Sequence, residues 1–516
     1  MACTGASPNW SSTWGDLQDC HDNHATHGDT ITVIAGDYSS SSQLLITKAI
    51  SIVPGGAVSI TDNLCAGSCF SGTSDSFILI QTSNSGNTQF GQMTLPCDPT
   101  SAGCGGFTFL GGTSIHGNPS AIVYVQGTGT GTALVLGHTL TSFYQNYSHI
   151  QDTNAVIAGH HIQGVTPNVS PCANGYAFLR TGGDGSGWSE ISKFGALDTS
   201  GDYKIYVENN WMKNVAEGID INDGNRMVIR FNTFINSAVI HHGSDTQTWG
   251  ARYTEIYGNT FSRDNSLVCD GFDVNTNDFL GIRGGTSFIV KNVINNADTI
   301  VWGPKNEIAT YTEQIWKNSG DFRCWGTSNP SGYTGAPIPS QVGWGWITGS
   351  TQSGNVVGRN MDLEPMYIAA NTGAGNYTSP AILTADENPC GSSQTGSDYV
   401  HNDVEYYKQT AGGIQTTSTS PFNGSTGTGY GTRVSPNNRP TTGLTNGVAY
   451  WATDAGGHWD TTSANSNDGC LDRVVSGAWV DCWYTPLEYP HPFITGSEPP
   501  PSDMTPKGAG MLLALK

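Results

Sequence analysis

Apolar residues alternate with polar ones along this chain in short bursts, and each burst stops at Gly, Asn or His before it reaches helical length. "DTITVIAGDY" and "AISIVPGG" show the pattern near the N-terminus, with a period of two closed by glycine. That period predicts short strands with one buried face. One departure precedes them. Trp14, Leu17 and Cys20 fall at three-residue spacing, and Thr13 with Asp16 forms a loose capping box, which predicts a short helix before the first strand. Beyond it, helix signals nearly vanish.

Between residues 130 and 300 the bursts repeat. "LVLGHTL", "VIAGHHI", "IYVENNW", "VIRFNTF", "EIYGNTF" and "FIVKNVI" align with a polar residue in one slot: His138, His160, Asn209, Asn232, Asn259 and Asn292. The intervals are 22, 49, 23, 27 and 33, and the 49 reads as two coils if the polar insert of residues 168–202 replaces one regular slot. A short strand recurring at such a period predicts a solenoid. In stacked coils an in-line Asn hydrogen-bonds to the Asn above and below at the strand spacing of about 4.8 Å, so these residues read as structural.

The N-terminal "GDTITVIAGDY" and "LLITKAISIVPGG", followed by the "NxF" coils, resemble secreted right-handed parallel β-helix proteins of the pectate-lyase-like superfamily. The resemblance covers residues 28–310, with "GNVVGRNMDLEPMYI" a candidate final coil. It implies an all-β chain, a right-handed parallel β-helix with a short N-terminal capping helix and a C-terminal β-hairpin and loop elaboration. The expected division is a cap (1–27), the helix with long loop insertions (28–400), a loop-rich linker (401–445), an aromatic segment stapled by Cys470 and Cys482 that packs on the helix (446–495), and a tail (496–516).

Composition narrows the function. Only 12% of residues are charged, against about 25% in ordinary soluble proteins, so Ser, Thr, Asn and Gly stand where helix-forming Lys and Glu usually do. Net charge is −21 with 21 Lys and Arg in all, which argues against nucleic acid, because phosphate contacts need clustered basic residues. The 12 cysteines include close pairs at Cys3/Cys20, Cys65/Cys69, Cys97/Cys104 and Cys470/Cys482, while Cys172, Cys269, Cys324 and Cys390 have no local partner. None has zinc spacing, so disulfides and an oxidising compartment are expected. No apolar run reaches the roughly 20 residues of a membrane span. "MACTGASPNW" reads as a mature N-terminus behind an added Met, and a secreted, extracellular or periplasmic location is expected.

Candidate chemistry falls on residues 217–283. Asp220, Asp245 and Asp270 are spaced 25 and 25, which on coils of that length would stack them on one side. His241 and His242 precede Asp245, Asp223 and Asp273 follow two of the acids, and Arg226, Arg252 and Arg283 recur before successive markers. A polysaccharide lying in a groove along such a face is the expected partner. In a hydrolase, two of the three aspartates would serve as acid and as base or nucleophile. In a lyase, Arg252 or His242 would abstract the proton α to a uronate carboxyl group, which Ca²⁺ held by Asp223 and Asp273 would neutralise. Enzymes of the resembled superfamily use both strategies. This chain lacks the Gly-His-Gly and the Asn-Thr-Asp with Asp-Asp of the polygalacturonase pattern, and it does not match the positioned Arg of the lyase pattern. His241, Arg283, Trp302, Trp344 and Trp346 are candidate sugar contacts. The competing expectation is a non-catalytic glycan-binding or adhesin β-helix; a phage tailspike depolymerase is a third, and the cysteine density counts against it.

Overall fold

A computed structural model describes residues 14–64, 67–69, 76–82, 86–110, 114–116, 121–127, 131–143, 147–164, 177–182, 204–215, 217–221, 225–241, 251–263, 278–282, 284–296, 305–310, 342–346, 361–373, 381–384, 401–414, 422–434 and 439–495. The chain is a right-handed parallel β-helix built from three long parallel sheets of eleven, ten and ten strands, here called I, II and III in the order a coil visits them. One coil runs through Arg226–Arg230 in sheet I, Thr233–Ile235 in sheet II and Ala238–His241 in sheet III. The next coil begins with Tyr253–Tyr257 in sheet I.

Alternation along each strand divides inside from outside. In sheet I the inward row passes through Val135, Ile157, Val207, Ile229, Ile256, Ile289 and Ile368, directly opposite one another in successive coils. All are buried. β-Branched side chains suit this stacking, and each contributes about 1.5–3 kcal/mol of burial. In sheet II, Phe234 and Phe261 stack at 4.7 Å inside the same core.

The turn between sheets I and II carries the ladder. Backbone N–H groups of His138, His160, Asn210, Asn232, Asn259, Asn292 and Asn371 each donate to the side chain of the next ladder residue, at 2.9–3.1 Å, ending on Gln409. The Asn amides return the bond: Nδ2 of Asn232, Asn259 and Asn292 donates to the carbonyls of Val207, Ile229 and Ile256, each at 2.9 Å. Every ladder residue is buried. Each is preceded by a residue with positive φ: Gly137, Gly159, Asn209, Phe231, Gly258, Lys291 and Ala370. That left-handed position turns the chain, and at Phe231, Lys291 and Ala370 a side chain tolerates it against its steric preference.

Two expectations are corrected here. The ladder residue of the "ENNW" coil is Asn210, one place beyond the aligned Asn209, which takes the left-handed slot that Asn accepts more readily than most residues. The interval from His160 to Asn210 is one coil, because Asn154–Ala158 pairs directly with Lys204–Glu208 and His160 N–H reaches Asn210 Oδ1. The polar insert therefore interrupts a single coil without replacing a slot. The stretch expected as a final coil does supply sheet I with Met366–Ala369, and Asn371 extends the ladder.

Both flanks of the solenoid are covered. The helix Trp14–Asp19 and the turn Cys20–His24 lie at the open N-terminal edge, where Gln18 accepts from Leu45 N–H and donates to its carbonyl. That occupies backbone groups which would otherwise template another strand. At the other end, Tyr406–Tyr407 complete sheet I. Gln409–Ile414, Thr428–Gly431, Ala449–Ala452, Cys470–Val475 and Ala478–Tyr484 then form a five-stranded sheet, so the region read as linker contains strands. The C-terminal segment lies on the outer face of sheet I. Tyr484 stacks on Phe288 at 4.4 Å, and Arg230, buried and paired with Glu208 at 2.6 Å, donates to the carbonyls of Leu487 and Glu488.

Two stability experiments follow. Asn259→Ala removes the acceptor of Asn232 N–H and the donor to the Ile229 carbonyl, and should cost about 3 kcal/mol in urea unfolding; a cost below about 1 kcal/mol would contradict the ladder's role. His160 accepts through Nδ1 and donates through Nε2, so it is held neutral, and burial pushes its pKa down to about 3. Above pH 6.5 it is neutral folded or unfolded, and its contribution is complete. As pH falls from 6.5 toward 3 the unfolded chain takes up a proton that the fold refuses, and stability falls. His160→Asn should flatten that part of the stability–pH curve.

Candidate functional site

Sheet III carries a row, buried except at Arg180, where ionisable side chains of complementary chemistry stand in register. Its strands Val123–Gly127, Ser148–Gln151, Ala177–Gly182 and Glu217–Ile221 are consecutive neighbours. Val123, Leu179 and Ile219 alternate with the outward positions and fill the core. The outward row reads Tyr124, His149, Arg180, Asp220, each directly opposite the next. A second outward row two residues along begins Gln81, Gln126, Gln151.

The first row is tightly coupled. Tyr124 and His149 stack with ring centroids 4.8 Å apart and planes 7° from parallel. Arg180 Nε lies 2.9 Å from Asp220 Oδ2; the Asp220 side chain is fully buried and that of Arg180 is 16% exposed. The Tyr124 hydroxyl donates to Gln151 Oε1. His149 Nδ1 is buried with no hydrogen-bond partner among the described residues. Burial chiefly, and then the Arg180 charge, push the His149 pKa down to about 4, while Asp220 pulls it up. Burial and then the Asp152 charge push the Tyr124 hydroxyl up to about 12. At neutral pH the row therefore presents an uncharged imidazole with an open nitrogen, a protonated phenol and an ion pair. The three glutamines, half-buried, form its amide lip.

The expected site residues separate in space. Asp220 belongs to this row, and the residues opposite it in the next coils are Ile240 and Gly281. His241 sits opposite Ile221 in an inward row and is fully buried, which corrects its reading as a groove residue. Arg252 is fully buried and donates through Nη1 and Nη2 to Glu364, at 2.8 and 3.3 Å; it ties two coils together and has no approach to solvent. Arg226 is also buried, on the outer face of sheet I beside Lys204. Asp223, His242, Asp245, Asp270, Asp273, Arg283 and Trp302 lie outside the described residues. Trp344 and Trp346 end a strand paired antiparallel with Met361–Leu363, and their side chains are outside the description.

Tyr124, His149 and Arg180 were missed in the sequence because they recur at unequal intervals. The signal is the alternation itself: "VYVQ", "SHIQ" and "FLRT" place Tyr, His and Arg at the outward position of consecutive sheet III strands.

Among the described residues, one group of three stands at metal-ligand distances: Cys470, Asp472 and Cys482. Its sulfurs are joined in a disulfide, and Arg433 and Arg439 already occupy the Asp472 carboxylate, so its chemistry does not fit a cation. Cys97 and Cys104 form a second disulfide. No family model, no curated protein and no solved structure matches this chain.

The electrostatic arrangement is open to direct test. Arg180→Gln removes the cation that depresses His149 and should raise its pKa above about 4, whereas Asp220→Asn removes the opposing charge and should lower it. Imidazole NMR titration reads both; shifts of the same sign would contradict the arrangement.

Proposed function

We propose that this protein is a secreted glycan-active enzyme of the pectate-lyase-like kind that cleaves uronate-bearing chains by β-elimination across the Tyr124–His149–Arg180–Asp220 row. The observation that carries the reading is the buried, unpartnered Nδ1 of a neutral His149, stacked on Tyr124 and adjacent in register to the Arg180–Asp220 pair. The β-helix itself, with disulfides closing short loops, supports the class and the extracellular setting.

Elimination needs a base at the carbon α to the carboxyl group, a positive charge for the carboxylate, and an acid for the leaving oxygen. His149 Nδ1 takes the α-proton, because a neutral imidazole with a free lone pair is competent at any pH above its depressed pKa. Arg180, oriented by Asp220, faces the carboxylate and stabilises the charge that builds there as the proton leaves. The electron pair forms the new carbon–carbon double bond and expels the glycosidic oxygen. That oxygen receives a proton from the Tyr124 hydroxyl, which its high pKa keeps protonated. Gln81, Gln126 and Gln151 line the margin with amides suited to sugar hydroxyls.

Hydrolysis fits the row less well. It asks for two carboxyl groups, one protonated; the row holds one, and that one is paired with Arg180.

Purified protein on oligouronates should release products with the ultraviolet absorbance of an unsaturated uronate. His149→Ala should lose about 10²–10⁴-fold in rate and Tyr124→Phe a comparable amount. Because His149 is neutral above about pH 4, the acid limb of kcat/KM should lie near 4 and not near the ordinary 6.5. New reducing ends without that absorbance would replace elimination by hydrolysis. Silence on a broad glycan panel would favour a non-catalytic glycan-binding β-helix.

A further inference from the structure

Among the described residues, sheet II carries half-exposed and exposed outward side chains, whereas sheet I lies under the C-terminal segment. The outward residues of sheet II form two rows, one from Ser59 to Thr372 and one from Thr61 to Asn295. Most of their side chains are short, hydroxyl- or amide-bearing and half-exposed or exposed. Beyond Asp37, which stands opposite Ser59 on the first strand of the sheet, no carboxylate occurs in either row, although the whole chain carries a charge of −21.

Trp211 interrupts this texture. Its ring stacks on His161 of the preceding coil, with centroids 4.4 Å apart and planes 8° from parallel. His161 is buried and bonded through Nδ1 to the Pro99 carbonyl at 2.8 Å, so the pair is held rigidly. The next two coils place Thr233 and Thr260 directly in line, where rings could have continued the stack. A large side chain followed by two small ones leaves a notch one coil deep. Its pitch is the coil spacing of about 4.8 Å, close to the separation at which flat rings stack. Gln163 and Lys213 stand in the neighbouring row, opposite one another.

We propose that this notch binds one pyranose ring of a glycan, with its C–H face on the Trp211 indole. Thr233 and Thr260 then offer hydroxyls to its edge, and Gln163 offers an amide to its substituents. An aromatic plane held rigid beside hydroxyls and amides is suited to a ring with one apolar face and polar edges. A protein partner would need an interface core far more apolar than these rows supply. The site stands on a different face from the sheet III row and does not depend on the chemistry proposed there.

Calorimetric titration with cello-oligosaccharides and with galacturono-oligosaccharides tests it on the full chain. At least one probe should bind, and Trp211→Ala should weaken that binding by about 10-fold or more. Thr233→Trp, which fills the notch from the surface, should abolish binding and melt with the parent. In a His149→Ala background, which removes the proposed base of the sheet III row, Trp211→Ala should still weaken binding by about 10-fold or more, which separates this site from that row. Unchanged binding in Thr233→Trp, or no binding of either probe to the parent, would overturn the proposal.

Discussion

Everything in this molecule hangs on a side-chain amide doing the work of a backbone. At each bend between sheets I and II the strand ladder is interrupted, and buried N–H and carbonyl groups would go unpaired. Asn210, Asn232, Asn259, Asn292 and Asn371 close that gap, one coil to the next. Because the amide both accepts and donates, one residue per coil fixes the turn and the register together. The strands on either side are then held in line, and residues far apart in sequence arrive opposite one another. His160 does the same toward the N-terminal end, provided the imidazole is neutral and in the tautomer that donates through Nε2.

Register is what turns a plain sheet into a site. Tyr124, His149, Arg180 and Asp220 come from strands separated by loops of very different length, yet meet in one row because the coils are locked at the bend. Burial then tunes the row: the imidazole loses its charge, the phenol keeps its proton, and the remaining ion pair is held in place. The same burial on the outer face of sheet I has a different outcome. There Glu208, Arg230, Glu255 and their tyrosines are enclosed by the C-terminal segment and serve to fasten it.

The architecture was legible in the sequence because a solenoid repeats its local physics. Alternation, glycine stops and the recurring Asn predict strands, bends and period without any long-range information. The slip from Asn210 to Asn209 shows the limit of that reading. Two neighbouring asparagines satisfy two different demands, a left-handed backbone and a buried amide, and spacing alone does not tell them apart. Candidate chemistry was less legible for a related reason. The spacing of Asp220, Asp245 and Asp270 is regular in sequence, yet the residues opposite Asp220 in the next coils are Ile240 and Gly281, so register on sheet III does not follow that spacing. Arg252 shows a further gap, since its partner Glu364 lies 112 residues away and nothing local announces it.

The central claim is that the sheet III row cleaves uronate chains by elimination, and the masses of the cleavage products test it most directly. Elimination splits the chain without water, so the two fragments together weigh what the parent oligouronate weighed, and one of them carries the double bond. That result, lost in His149→Ala, is the prediction. Fragments that together exceed the parent by one water, or a parent left intact, would contradict it.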